Sequence, residues 1–112
     1  MSVSAPFTPS GNTAMVTAAV TPPTPVQLVS TTLGGNQYRI INNGSVTAFI
    51  GFGTTASDAT TNATAPTAGS STRAIPALAG TIEILSFPPN AYVTAATLSS
   101  TATVYITCGD GD

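Results

Sequence analysis

Apolar and polar residues alternate along much of this chain, most clearly over residues 37–53, QYRIINNGSVTAFIGFG. Val46, Ala48, Ile50 and Phe52 fall on every second position and so share one face of a strand, and Tyr38 and Ile40 supply the matching face of a partner. Asn43-Gly44 lies between the two runs, and that pair can take the positive φ angles of a tight primed turn. The spacing therefore predicts a β-hairpin in fixed register.

The same reading extends in both directions. Residues 1–25 are punctuated by Pro6, Pro9, Pro22, Pro23 and Pro25, which remove backbone donors and favour extended geometry. One strand is expected there, over residues 14–20, within a leader that contacts outside the domain would have to hold in place. Residues 26–32 form a strand with Val26 and Leu28 inward, and Leu33-Gly34-Gly35-Asn36 turns the chain into the hairpin. Residues 54–72, TTASDATTNATAPTAGSST, lack periodicity and strong hydrophobes and read as a long surface loop, either a contact loop or plain disorder. A turn over residues 76–80 precedes a strand over 81–87, with Ile82 and Ile84 on one side and Thr81, Glu83, Leu85 and Phe87 on the other. Both sides are apolar enough that one can meet the core and the other a neighbour. Pro88-Pro89-Asn90 ends that strand. Residues 91–98 and 102–108 alternate around Ser99-Ser100-Thr101 and predict a second hairpin, with Ala102, Val104, Ile106 and Cys108 opposite Thr103, Tyr105 and Thr107.

About six to eight short strands, separated by turn signals roughly ten residues apart, predict an all-β fold: an antiparallel β-sandwich or jelly roll with an extended N-terminal arm. The expected division is an arm over residues 1–25 and a sandwich over 26–112. A parallel α/β architecture is excluded, because no segment can serve as its crossover helices.

Composition narrows function more than fold. The 112 residues suffice for one core, burying roughly two thirds of the surface an unfolded chain exposes. Only 5% are charged, with no His, and the charges are Arg39, Arg73, Asp58, Glu83, Asp110 and Asp112. Two separated arginines cannot displace counterions from a phosphate backbone or hold an anionic membrane surface, so neither nucleic acid nor membrane is an expected partner. A surface so poor in charge has little colloidal protection, which points to coverage by other protein chains. The single cysteine, Cys108, cannot form an internal disulfide and reads as a small buried apolar residue. No secretory signal is expected, and nothing approaches the roughly 20 apolar residues of a membrane span.

Candidate chemistry is sparse. Without His, a His-based triad cannot be assembled, and Cys108 has no evident base. Asp58, Glu83, Asp110 and Asp112 could formally supply a glycosidase carboxylate pair, but two are at the terminus and Asp58 falls in the long loop. The Gly-Asp-Gly-Asp ending resembles a fragment of a calcium loop; calcium needs about six to eight oxygens, so the tail is a solvated terminus unless a neighbouring chain completes a site. Asn43-Gly44-Ser45 and Asn62-Ala63-Thr64 match the N-glycosylation pattern and read as chance matches. Tyr38, Phe49, Phe52, Phe87, Tyr92 and Tyr105 could build a sugar- or base-stacking platform, although their places in alternating runs point first to core or subunit contacts. No catalytic, cofactor-binding or metal-ligating residue is assigned, and the expected protein is not an enzyme.

Three segments, YRIINNGSVTAFIGFG, IPALAGTIEILSFPPN followed by AYVTAATLSSTATVYI, and the Gly-Asp-Gly ending, resemble small accessory proteins of tailed-bacteriophage virions over roughly residues 37–112. The shared features are strand and turn patterns, with Ser99-Ser100-Thr101 standing where a glycine turn is expected. The resemblance implies a virion structural protein at the capsid surface: a decoration or cement protein that binds the major capsid protein and self-associates, as a homotrimer. Residues 2–25 and 54–72 would then touch the shell or adjacent subunits. Two alternatives stay open: a tail, neck or head-fibre protein of the virion, and a carbohydrate- or host-surface-binding β module.

Overall fold

The computed structural model describes residues 8–29, 37–88 and 90–110. Among them are eight strands and one short helix. In chain order these are β1 (Thr8–Ala18), β2 (Val26–Gln27), β3 (Gln37–Asn42), β4 (Ala48–Gly53), α1 (Ala56–Asn62), β5 (Ile75–Ala77), β6 (Ile82–Ser86), β7 (Tyr92–Ala96) and β8 (Ala102–Asp110). The strands form two four-stranded antiparallel sheets, sheet 1 in the order β1-β8-β3-β6 and sheet 2 in the order β2-β7-β4-β5. Both sheets contribute to one core, in which Tyr38, Ile40, Val104 and Ile106 from sheet 1 meet Ile50, Phe52, Val93 and Ala95 from sheet 2. The period-2 pattern thus assigns the inward face correctly on β3, β4 and β8.

Strand partners differ from the expected ones. β3 and β4 do not pair with each other; β3 lies between β8 and β6, and β4 between β7 and β5. The segment with Asn43-Gly44 is therefore an arch from one sheet to the other, and neither residue has positive φ. Asn42 explains the difference. Its buried side chain donates from Nδ2 to the carbonyls of Val46 (2.9 Å) and Ala77 (2.8 Å), and its Oδ1 accepts from Gly44 N–H (2.9 Å). The amide thus meets backbone needs that a hairpin ladder would otherwise meet. Gly44 is required for close approach: a Cβ there would stand 2.6 Å from Ala102 Cβ.

The second expected hairpin is likewise an arch, since β7 belongs to sheet 2 and β8 to sheet 1. Ser100 takes φ 62° there, a left-handed conformation natural to glycine, and its carbonyl accepts from Thr97 Oγ1 at 2.7 Å. Between β5 and β6, Gly80 has φ 75°, and Gly80 N–H donates to Asn42 O at 2.9 Å. That loop is tied to the first arch.

Two further expectations are corrected. Residues 8–25 are not an arm: β1 pairs with β8 from Thr8↔Asp110 to Ala18↔Ala102, and Val16 and Ala18 sit in the core. The chain then crosses to sheet 2, where Pro23 O accepts from buried Thr94 Oγ1 at 2.7 Å. Inside the expected loop 54–72 lies α1, whose first turn is capped by Thr55 Oγ1 accepting from Asp58 N–H at 3.1 Å. It packs directly on β4, because Gly51 leaves the space a Cβ would contest with the backbone of Ala59 and Ala63. The expected turn over residues 33–36, and residues 1–7 of the leader, lie outside the described residues.

Candidate functional site

The outward face of sheet 1 carries an apolar row. Met15 is opposite Tyr105, Tyr105 opposite Ile41, and Ile41 opposite Ile82, so one residue from each of the four strands lines up across the sheet. Met15 and Ile82, at its two ends, are 60% and 55% exposed, whereas Ile41 and Tyr105 are half-buried by their neighbours. The adjacent row is Thr13, Thr107, Arg39 and Ile84, with the Thr13 and Thr107 hydroxyls hydrogen-bonded at 2.6 Å. One charge among eight positions leaves a face with little desolvation to overcome on burial. Ile82 and Ile84 share one side of β6, as the alternation predicts, and the register turns that side away from the core.

A cleft of about 520 Å³ opens where α1 meets both sheets. Phe52 from β4, Ile75 from β5 and Leu85 from β6 line its apolar side together with Phe87, while Asp58, Thr61 and Asn62 of α1 line the other along with Arg73. The rings of Phe52 and Phe87 stack with centroids 5.5 Å apart and planes 27° apart, and Tyr38 lies 5.1 Å behind Phe52. Asn62 Nδ2 donates to Phe52 O at 2.7 Å, which locks the end of α1 to β4. Asp58 and Arg73 are exposed, and among the described residues neither is held in an ion pair.

Among the described residues, the acids lie on separate elements. Asp58 is on α1 and exposed Glu83 is on β6 outside the cleft. Asp110 ends β8, and residues 111–112, half of the calcium-like ending, lie outside the described residues. Among the described residues, no three His, Cys, Asp or Glu side chains gather as metal ligands. Cys108 is buried in the core, with Sγ 3.6 Å from Val29 O, and acts as the small apolar residue expected. Of the two glycosylation-like asparagines, Asn43 is exposed in the first arch and Asn62 is occupied in fixing α1.

The aromatics divide among roles. Tyr38 is fully buried, with its hydroxyl donating to Pro88 O at 2.8 Å and accepting from Ala91 N–H at 3.2 Å. Burial pushes its pKa above the ordinary tyrosine value, against the opposing effect of the Ala91 bond. Tyr105 belongs to the outer apolar row, and Phe49 lines a smaller cleft with Val46 and Leu98 beside the two arches. The large cleft was not foreseen from sequence. Its signal was there in Thr55 three residues before Asp58, a helix-cap spacing, followed by Ala59 and Ala63 on one face and by Gly51 and Gly53 opposite them on the strand.

Comparison of the chain with protein-family models, with curated proteins and with solved structures finds no match. No helix among the described residues is long and apolar enough to cross a membrane.

Proposed function

We propose that this chain is a virion structural protein of the capsid-decoration type, a jelly-roll sandwich that lies on a shell of major capsid protein through the outward face of sheet 1. The observation that carries the reading is the aligned row Met15, Tyr105, Ile41 and Ile82, a continuous apolar line across four strands with almost no charge beside it. Hydrophobic side chains on an outward sheet face, flanked by threonines, suit an interface built from many modest contacts.

The jelly-roll assignment rests on the pairing pattern. β1 pairs with β8, β2 with β7, β3 with β6 and β4 with β5, as when one long antiparallel ribbon is folded over on itself. Folding that ribbon yields the observed strand orders. Jelly rolls serve in viral capsids and in lectins, so the topology supports the virion reading by analogy of fold. The exposed stretch 64–71, held by a short Thr67–Ser70 bridge, is a candidate second contact with the shell or with neighbouring copies. Self-association is part of the proposal, with a trimer as the expected number. Structural work in place of turnover accords with the separate places of the described acids, Asp58 on α1, Glu83 on β6 and Asp110 at the end of β8.

A tail, neck or fibre position would use the same face, and locating the chain by electron cryomicroscopy of particles purified from its source separates these outcomes. Density at repeating positions on the head supports decoration. Its absence from purified particles, or its confinement to the tail, overturns that assignment.

A further inference from the structure

We infer that the cleft between α1 and the two sheets binds a neutral pyranose, the terminal sugar residue of a glycan. The inference is independent of the docking face, because the cleft lies between α1, β4 and β6 and includes none of the apolar row. A pyranose has an apolar C–H face and a rim of hydroxyls, each of which needs a donor and an acceptor. The cleft offers that combination. Phe87, half-buried and stacked on Phe52, supplies a fixed aromatic surface for the C–H face. Asp58 can only accept, Arg73 can only donate, and the Thr61 hydroxyl can do either.

Size and rigidity agree with the assignment. At about 520 Å³ the cleft falls within the range of small-molecule sites. The Thr55 cap and the Asn62 bond to Phe52 O hold α1 in place, so the backbone that carries Asp58 and Thr61 is fixed before a ligand arrives. The main competitor is a zwitterion such as a free amino acid, bridging Asp58 and Arg73. Both charges are exposed, so their attraction for charged ligand groups is screened by solvent. Hydrogen bonding around an aromatic wall depends less on that attraction, which favours the sugar.

The test is a titration of the intact chain, followed by backbone amide NMR, with glucose, galactose, mannose and N-acetylglucosamine, and in a separate arm with leucine. Saturable shifts centred on Gly53, Thr61, Asn62, Ser86 and Phe87 are expected with at least one sugar in the millimolar range. Asp58→Asn and Arg73→Gln change exposed side chains and are expected to keep the native spectrum while weakening binding by about tenfold each. No saturable shift with any of the four sugars overturns the inference, as does saturation by leucine alone. Sugar binding that both variants leave unchanged would equally place the ligand elsewhere.

Discussion

Asn42 is fully buried and uses both amide hydrogens and its carbonyl oxygen on backbone groups of Val46, Ala77 and Gly44. Asn42→Ala would leave the buried Ala77 carbonyl and the part-buried Val46 carbonyl and Gly44 N–H without their partner, and the expected cost is about 2–4 kcal/mol in urea unfolding. A loss below about 0.5 kcal/mol would show that the first arch does not depend on this amide. Tyr38 gives a pH signature. Burial holds its folded-state pKa above the ordinary value near 10. The unfolded chain therefore releases this proton first as pH rises, and the folded state binds more protons than the unfolded one above about pH 10. The stability contributed by the neutral phenol is complete below that point and declines as pH climbs toward the folded-state pKa. Thermal unfolding from about pH 8 to about pH 11 should show a steeper loss in the native chain than in Tyr38→Phe. Parallel curves would remove Tyr38 from the explanation.

Strand faces were legible in the sequence because alternation depends only on the strand's own geometry. Ala102, Val104, Ile106 and Cys108 are buried as expected, and so are Ala48, Ile50 and Phe52. Partners were not legible, because an inward face looks the same whether the next strand is beside it or across the core. Asn43-Gly44 favoured the hairpin, and the preceding Asn42 turned the chain into an arch. α1 was hidden for a different reason: threonine, serine and asparagine are weak helix formers, and its seven residues gain their stability from packing on the bare backbone at Gly51. The cleft depends on that helix and was hidden with it. Prolines made residues 1–25 look detached, yet β1 runs along β8 and places Val16 in the core. Deleting residues 1–18 should therefore abolish the cooperative thermal transition or lower its midpoint sharply. A truncated chain that melts as the native one does would restore the arm.

At the scale of the molecule, a radius of gyration of 13.1 Å is that of one compact domain. Its extents of 38 × 35 × 24 Å describe a slab, a shape that presents broad faces to its surroundings. The proposed work of this slab is to lie against other protein chains, with sheet 1 as the contact and the cleft between α1 and the sheets left for a sugar. The face holds one charge, Arg39, within its two central rows, so a new carboxylate at each end of the apolar row would have to be desolvated on docking. Met15 and Ile82 are already exposed, and replacing both with Glu should leave the isolated chain folded. The decisive measurement is occupancy of particle heads by the native chain and by the Met15→Glu, Ile82→Glu variant, each added to heads stripped of the protein and counted in reconstructed density. Docking through sheet 1 requires near-complete occupancy by the native chain and a loss of about tenfold or more in affinity for the variant. Equal occupancy by the two would contradict it.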